Sequence, residues 1–134
     1  VETVRESEHA SFERVLMFQG MEGYDDVRPG STTVAEWDEG SEMEDFTIET
    51  PEYGMDFETE DLHVDDVAAD SADITLDVLS GERTDQFRDA VLVNAALRMY
   101  ARGDVTSLDD GIDEAEHVIS DGSAEHLLAD LCAF

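Results

Sequence analysis

Strand-like segments in the first half of the chain and helix-like segments in the second predict an α/β chain, few strands followed by several helices. Three observations carry that prediction. Short apolar runs separated by glycine-containing turns occupy residues 12–50, the strand-rich part. Apolar residues at spacings of three and four occupy residues 71–132, the helical part, with capping residues before each run and glycines after most of them. The 134 residues are 41% hydrophobic, in periodic blocks, which supports one folded core despite the high charge.

The elements follow in order. Arg14-Val15-Leu16-Met17-Phe18 is a short apolar run of the kind that forms a buried strand. Gly20-Met21-Glu22-Gly23-Tyr24-Asp25-Asp26 reads as a loop, and Arg28-Pro29-Gly30 extends it as a turn. Residues 32–37 have strand composition, Asp38-Glu39-Gly40-Ser41 is a hairpin-type turn, and residues 43–50 return as a strand carrying Phe46 and Ile48. Pro51-Glu52-Tyr53-Gly54 closes that half, and residues 55–70 read as acidic and irregular, anchored by Leu62 and Val64. Ser71 is the expected cap of a helix through Leu79, with Ile74, Val78 and Leu79 inward and Gly81 as its stop. Thr84 is the expected cap of a helix over 85–101, its face formed by Phe87, Ala90, Val91, Ala95 and Met99, with Gly103 beyond it. Ser107 caps a third helix through Ile119 with Leu108, Ile112, Ala115 and Ile119 inward, and Gly122 ends it. Residues 124–132 form a last helix with Leu127, Leu128 and Leu131. These helices can cover more sheet than so few strands supply. Residues 1–134 are therefore expected to be a single partial α/β domain within a larger unit.

Composition narrows the function. The chain has 36 Asp+Glu against 7 Lys+Arg, a formal charge of −29, and every one of its cations is an arginine. A nucleic-acid module that works through a basic patch is excluded, and docking on anionic membranes is disfavoured. No apolar run approaches the ~20 residues of a spanning helix, and no signal-peptide pattern opens the chain. No nucleic-acid or membrane partner and a cytoplasmic location are therefore expected. The single cysteine, Cys132, excludes an internal disulfide and reads as a packing residue beside Leu131 and Phe134. The acids are spread through every segment instead of forming a tail, and lysine is absent, a pattern that suits a halophilic protein.

The loop after the first strand is the best place for chemistry. Gly20 and Gly23 allow a ligand to approach the backbone, and Asp25 and Asp26 offer hard oxygen ligands. Magnesium commonly takes one or two carboxylates together with substrate phosphates and water. Asp-Asp recurs at Asp65-Asp66 and Asp109-Asp110, so it is the position past a strand and between glycines that singles out this pair. His9, His63, His117 and His126 are scattered and read as surface or helix-end residues, and Asn94 reads as a helix residue bonded to backbone. No phosphate-binding G-x-x-x-x-G-K-[ST], no G-x-S-x-G and no zinc-ligand spacing is present.

Several segments, in order, resemble anthranilate phosphoribosyltransferases. Val15-Leu16-Met17-Phe18-Gln19-Gly20, continuing through Glu22-Gly23-Tyr24-Asp25-Asp26, is similar to that family's V-V-x-H-G-x-[DE]-G-L-D-E. Thr32-Thr33-Val34-Ala35-Glu36 is similar to T-x-V-x-E, and Thr50-Pro51-Glu52-Tyr53-Gly54-Met55 to T-P-E-D-F-G-L shortened by one residue. Val78-Leu79-Ser80-Gly81-Glu82 is similar to V-L-x-G-E, and the run from Arg88 to Ala96 to R-D-x-V-x-L-N-A-A. Gly111-Ile112 to Ala115, and Ile119-Ser120-Asp121-Gly122-Ser123-Ala124, are similar to G-x-x-x-A and I-D-S-G-x-A.

The resemblance implies the C-terminal portion of a nucleoside phosphorylase/phosphoribosyltransferase-type catalytic domain. It implies transfer of a phosphoribosyl group from phosphoribosyl pyrophosphate to anthranilate, in tryptophan biosynthesis, by a homodimeric parent enzyme. It also implies Mg2+ as cofactor, held by Asp25 and Asp26, with Glu22 placed to hold a metal-bound water. The family's G-T-G-G-D phosphate loop, its anthranilate-contacting arginine and its helical domain have no match here, so this chain alone is expected to be inactive. Gln19 stands where the family has His, and Asp26 where it has Glu. These departures keep a diverged non-catalytic binding paralogue in view, and the shared architecture keeps a pyrimidine nucleoside phosphorylase relative in view as a second alternative.

The charge gives a direct test. The far-UV helix signal is expected to persist in molar salt and to fall on dialysis into dilute buffer, where a charge of −29 is unscreened. Unchanged folding in dilute buffer contradicts the halophilic reading.

Overall fold

The structure, a computed structural model, describes residues 12–20 and 26–133. Strands β1 (Arg14–Phe18), β2 (Ser31–Asp38) and β3 (Glu44–Glu49) form an antiparallel sheet in the order β1-β2-β3. Val34 of β2 sits opposite Phe18 on one side and Phe46 on the other. Val34 and Ile48 are fully buried under the helices, with Thr32 beside them. The strand expected to be buried, β1, is only half-buried. Leu16 and Phe18 pack on the core, while Met17, on the opposite face, is 52% exposed. Alternate residues of a strand point to opposite faces, and in an antiparallel sheet one face suffices for the core.

The chain then makes two 3₁₀ turns, Thr50–Tyr53 and Thr59–Leu62. Glu58 and Asp61 cap the second reciprocally, side chain to backbone in both directions, so this stretch is more ordered than its acidity predicts.

Helix α1 (Val67–Leu79) begins four residues before the expected Ser71, because the Asp66 carboxylate accepts from the backbone N–H groups of Ala68 and Ala69. Its first turn is exposed (Val67 is 70% accessible), so no apolar period marks it in the sequence. Helix α2 (Gln86–Arg102) is capped by Asp85, which accepts from Phe87 N–H, instead of by Thr84. It stops at Gly103, whose φ of +77° suits glycine. Its most buried residues are Leu92, Val93, Ala96 and Leu97, none of which lies in the expected stripe. Phe87, Ala90, Ala95 and Met99 are partly buried flanks, and Val91 is exposed. The cause is position: α2 packs against β1, α1 and the third helix, so apolar residues occupy most of its circumference.

Helix α3 (Leu108–Ser120) matches its expectation. Ser107 caps it through Asp110 N–H, and Leu108, Ile112, Ala115 and Ile119 are buried. Gly111 joins them, because a Cβ there would lie 2.8 Å from both Cα and Cβ of Ala96. Helix α4 (Ser123–Cys132) departs from expectation. Leu127 and Leu131 are 60% and 63% exposed, and Cys132 is exposed instead of packed. Leu128 is half-buried, whereas no described residue covers the outer face that carries Leu127 and Leu131.

One polar network ties the sheet to α2. The Arg14 guanidinium donates to Asp38 Oδ1 at 2.6 Å and to the Tyr100 carbonyl at 2.7 Å, and it stacks over the Tyr100 ring. Tyr100 Oη donates to the Glu36 carboxylate at 3.0 Å, while its ring meets Phe46 edge-on. Burial, reinforced by the Glu36 hydrogen bond, pushes the Tyr100 phenol up and keeps it a donor.

Gly111→Ala is expected to destabilise the chain by ~1 kcal/mol or more, because the new methyl meets backbone that cannot swing aside. A lower urea midpoint at unchanged slope is the readout, and an unchanged midpoint contradicts this account of the helix crossing.

Candidate functional site

The loop between β1 and β2 leaves the sheet at Gly20, which is buried, and returns at Asp26. Asp25, Glu22 and Gly23 lie outside the described residues; Asp26 lies within them. Asp26 is half-buried, and its Oδ1 is 3.6 Å from Arg98 Nη2 on α2. Val27 is buried, and its N–H donates to Asn94 Oδ1 at 2.8 Å. The Asn94 amide in turn donates to the Ala90 carbonyl at 2.9 Å. Asn94 is thus a backbone-bonded helix residue, as its sequence position implies.

The rest of the returning arm is fixed from the sheet side. Thr32 Oγ1 accepts from Arg28 N–H at 3.2 Å, and Arg28 Nε donates to the Ser31 carbonyl. Gly30, at φ +75°, donates its N–H to Thr50 Oγ1 and accepts from Thr50 N–H, both at 2.9 Å. Both threonines are fully buried, so these bonds are shielded from water. Beside Asp26 and Asn94 lies a cleft of about 200 Å³, lined also by Val27, Leu62, Ala90 and Val91. A carboxylate at the rim of a cleft, next to a backbone held from two sides, is a donor suited to a hard cation such as Mg2+. The pairing with Arg98 and the anchoring by Asn94 were not read as features of this site in the sequence. Their one sequence signal is the four-residue spacing that puts both on one face of α2.

A second cleft, of about 480 Å³, was not anticipated from sequence. It is lined by Glu52, Tyr53, Asp89, Asp109, Asp113 and Glu116, among others. Burial, aided by Asp85 and Glu116 and opposed by Arg88, pushes the Asp89 carboxyl above its ordinary value. Burial also raises the Tyr53 phenol, with Asp109 and Glu52 adding to it. Among the described residues no group of three or more His, Cys, Asp or Glu is arranged to hold a metal ion, here or elsewhere. The three described histidines are exposed at 63, 117 and 126, each within 4 Å of an aspartate. His9 lies outside the described residues. No described helix is long and apolar enough to cross a membrane.

A small antiparallel sheet followed by four helices is the architecture of part of an α/β domain. The chain belongs to the glycosyl transferase family, a/b domain, whose model matches residues 3–125. It is 36% identical over 123 residues to the anthranilate phosphoribosyltransferase of Methylobacillus flagellatus, covering 90% of this chain and 35% of that protein. Its backbone superposes on the crystal structure of anthranilate phosphoribosyltransferase from Thermus thermophilus with a TM-score of 0.74 at 29% identity, over 90% of this chain and 35% of that one. A variant anthranilate phosphoribosyltransferase from Saccharomyces cerevisiae with Mg bound shares the fold, with a TM-score of 0.70 at 24% identity, over 84% of this chain and 33% of that one. The chain thus spans about a third of the length of the relatives it matches.

Asp89 yields a pH test of the acidic cleft. Its folded pKa is raised, so the ionised carboxylate costs stability above that pKa, and the penalty disappears below the unfolded value of about 3.9. Asp89→Asn is therefore expected to raise the melting temperature at pH 7, with the gain shrinking as the pH falls through the carboxylate range. A gain independent of pH contradicts the burial argument.

Proposed function

We propose that this chain is the C-terminal part of the catalytic domain of an anthranilate phosphoribosyltransferase, acting in tryptophan biosynthesis in the cytoplasm. The supporting observation is the 36% identity to such an enzyme along 90% of the chain. The enzyme would transfer the phosphoribosyl group of phosphoribosyl pyrophosphate to the amine of anthranilate. The amine nitrogen bonds to the anomeric carbon of the ribose and loses a proton, and pyrophosphate departs with the electrons of the broken bond. The intact enzyme would be a homodimer.

In this reading Asp25 and Asp26 are metal ligands and not general bases. Held there, magnesium would supply positive charge against the negative charge that develops on the departing pyrophosphate. The share of this chain is to hold and position. Asp25 and Asp26 would hold the cation and Glu22 a water bound to it, while the hydrogen-bonded arm from Val27 to Ser31 steadies the backbone that follows Asp26. Asp26 replaces a longer glutamate and keeps its charge. Magnesium in the yeast relative agrees with this choice of cation. The acidic surface adapts the enzyme to concentrated salt.

The test is Asp25→Asn combined with Asp26→Asn in the intact enzyme, assayed in molar salt by the loss of anthranilate fluorescence. Activity is expected to fall by at least ~100-fold, since charge stabilisation at the leaving group is among the larger catalytic contributions, while the circular dichroism is unchanged. Near-normal rates would falsify the metal role.

A further inference from the structure

We infer that Asn94 is a positioning residue for the metal-binding loop: it fixes the backbone next to Asp26 from the α2 side and so sets how tightly the enzyme holds its cation. The inference rests on the magnesium role proposed for Asp25 and Asp26.

Three side chains anchor the described arm of the loop. Thr32 on β2 and Thr50 at the start of the first 3₁₀ turn hold Arg28 and Gly30, two and four residues beyond Asp26. Asn94 acts from α2 and holds Val27, the residue directly after Asp26. Its geometry leaves little slack. The side-chain oxygen accepts from Val27 N–H at 2.8 Å, while the amide nitrogen donates to Ala90 O at 2.9 Å. The second bond settles which end of the amide faces the loop, so the acceptor is always presented to Val27. The buried Val27 side chain pins the same residue from the core side.

Arg98, one turn further along α2, reaches the Asp26 carboxylate, but at 3.6 Å and with 66% of its side chain exposed. An exposed, loose ion pair cannot fix a ligand, whereas a part-buried hydrogen bond to the adjacent backbone can. Groups that orient a metal ligand without touching the metal commonly alter metal affinity by about 10–100-fold.

The intact enzyme serves for the test, in molar salt, with Mn2+ alone as a spin probe titrated by electron paramagnetic resonance. The Asp25→Asn, Asp26→Asn double variant supplies the background from the acidic surface. A parallel assay measures the half-saturating Mg2+ concentration and kcat. Asn94→Ala is expected to raise both half-saturation values by about 10-fold, with kcat at saturating Mg2+ within about twofold of wild type. A merely structural asparagine would lower the melting temperature without moving the half-saturation. Where Asn94→Ala does not fold, Asn94→Ser takes its place, because its hydroxyl is too short to reach Val27. Unshifted half-saturation in a folded Asn94→Ala, with Mn2+ binding lost in the double aspartate variant, overturns the role of Asn94 and leaves the metal reading intact. Mn2+ binding in the double variant equal to wild type overturns both.

Discussion

The close approach of Gly111 to Ala96 is the constraint on which the arrangement depends. With no side chain at Gly111, α3 meets α2 backbone to backbone, and the rows of Ile112, Ala115 and Ile119 settle into the same core as Leu92, Val93 and Leu97. That crossing fixes α2, and α2 serves two surfaces at once. Its C-terminal turn presents Tyr100 to Arg14, Glu36 and Phe46 of the sheet, while its middle presents Asn94 and Arg98 to the loop that returns at Asp26. Sheet, helix pair and candidate metal loop therefore share one rigid reference.

Electrostatics works at two levels in this chain. Five of the six described arginines lie within 4 Å of a carboxylate: Arg14, Arg83, Arg88, Arg98 and Arg102. The pairs of Arg98 and Arg102 are exposed and add little stability individually, while those of Arg83 and Arg88 are part-buried. Arg14 stands apart, since its guanidinium meets Asp38, a backbone carbonyl and an aromatic face together. Arginine suits such a site because its planar fork can do all three, which a lysine ammonium cannot. With so few cations, the chain places its best-connected one at the joint between sheet and helices.

The amphipathic helix α3 was legible from its Ser107 cap through its inward side chains, because one face packs and the other is solvated; the buried Gly111, which has no side chain to mark a face, was not. The three strand segments, the turn between β2 and β3 and the glycine stops were legible for similarly local reasons. The face of α2 was not. A helix enclosed by a sheet and two other helices has apolar residues at most angles, and a single stripe picks its flanks. The start of α1 was hidden because an exposed first turn carries no period, and only Asp66 announces it. At the candidate site, Asp26 and its glycine-containing loop stood out in the sequence. Its supports from Asn94 and Arg98 did not, being contacts between segments roughly seventy residues apart, which only the fold brings together.

Helix α4 has a separate consequence. It carries no fully buried residue, Leu127 and Leu131 face outward, and it joins α3 through Gly122 at φ +81°. Opening it exposes little new apolar surface, so its local opening free energy lies far below that of α3, which would have to release five buried positions. Within these residues, then, cooperativity is graded. The amides of α4 exchange with solvent first, the joint at Gly122 is where a protease finds extended chain, and thermal disorder enters there before it reaches the helix pair.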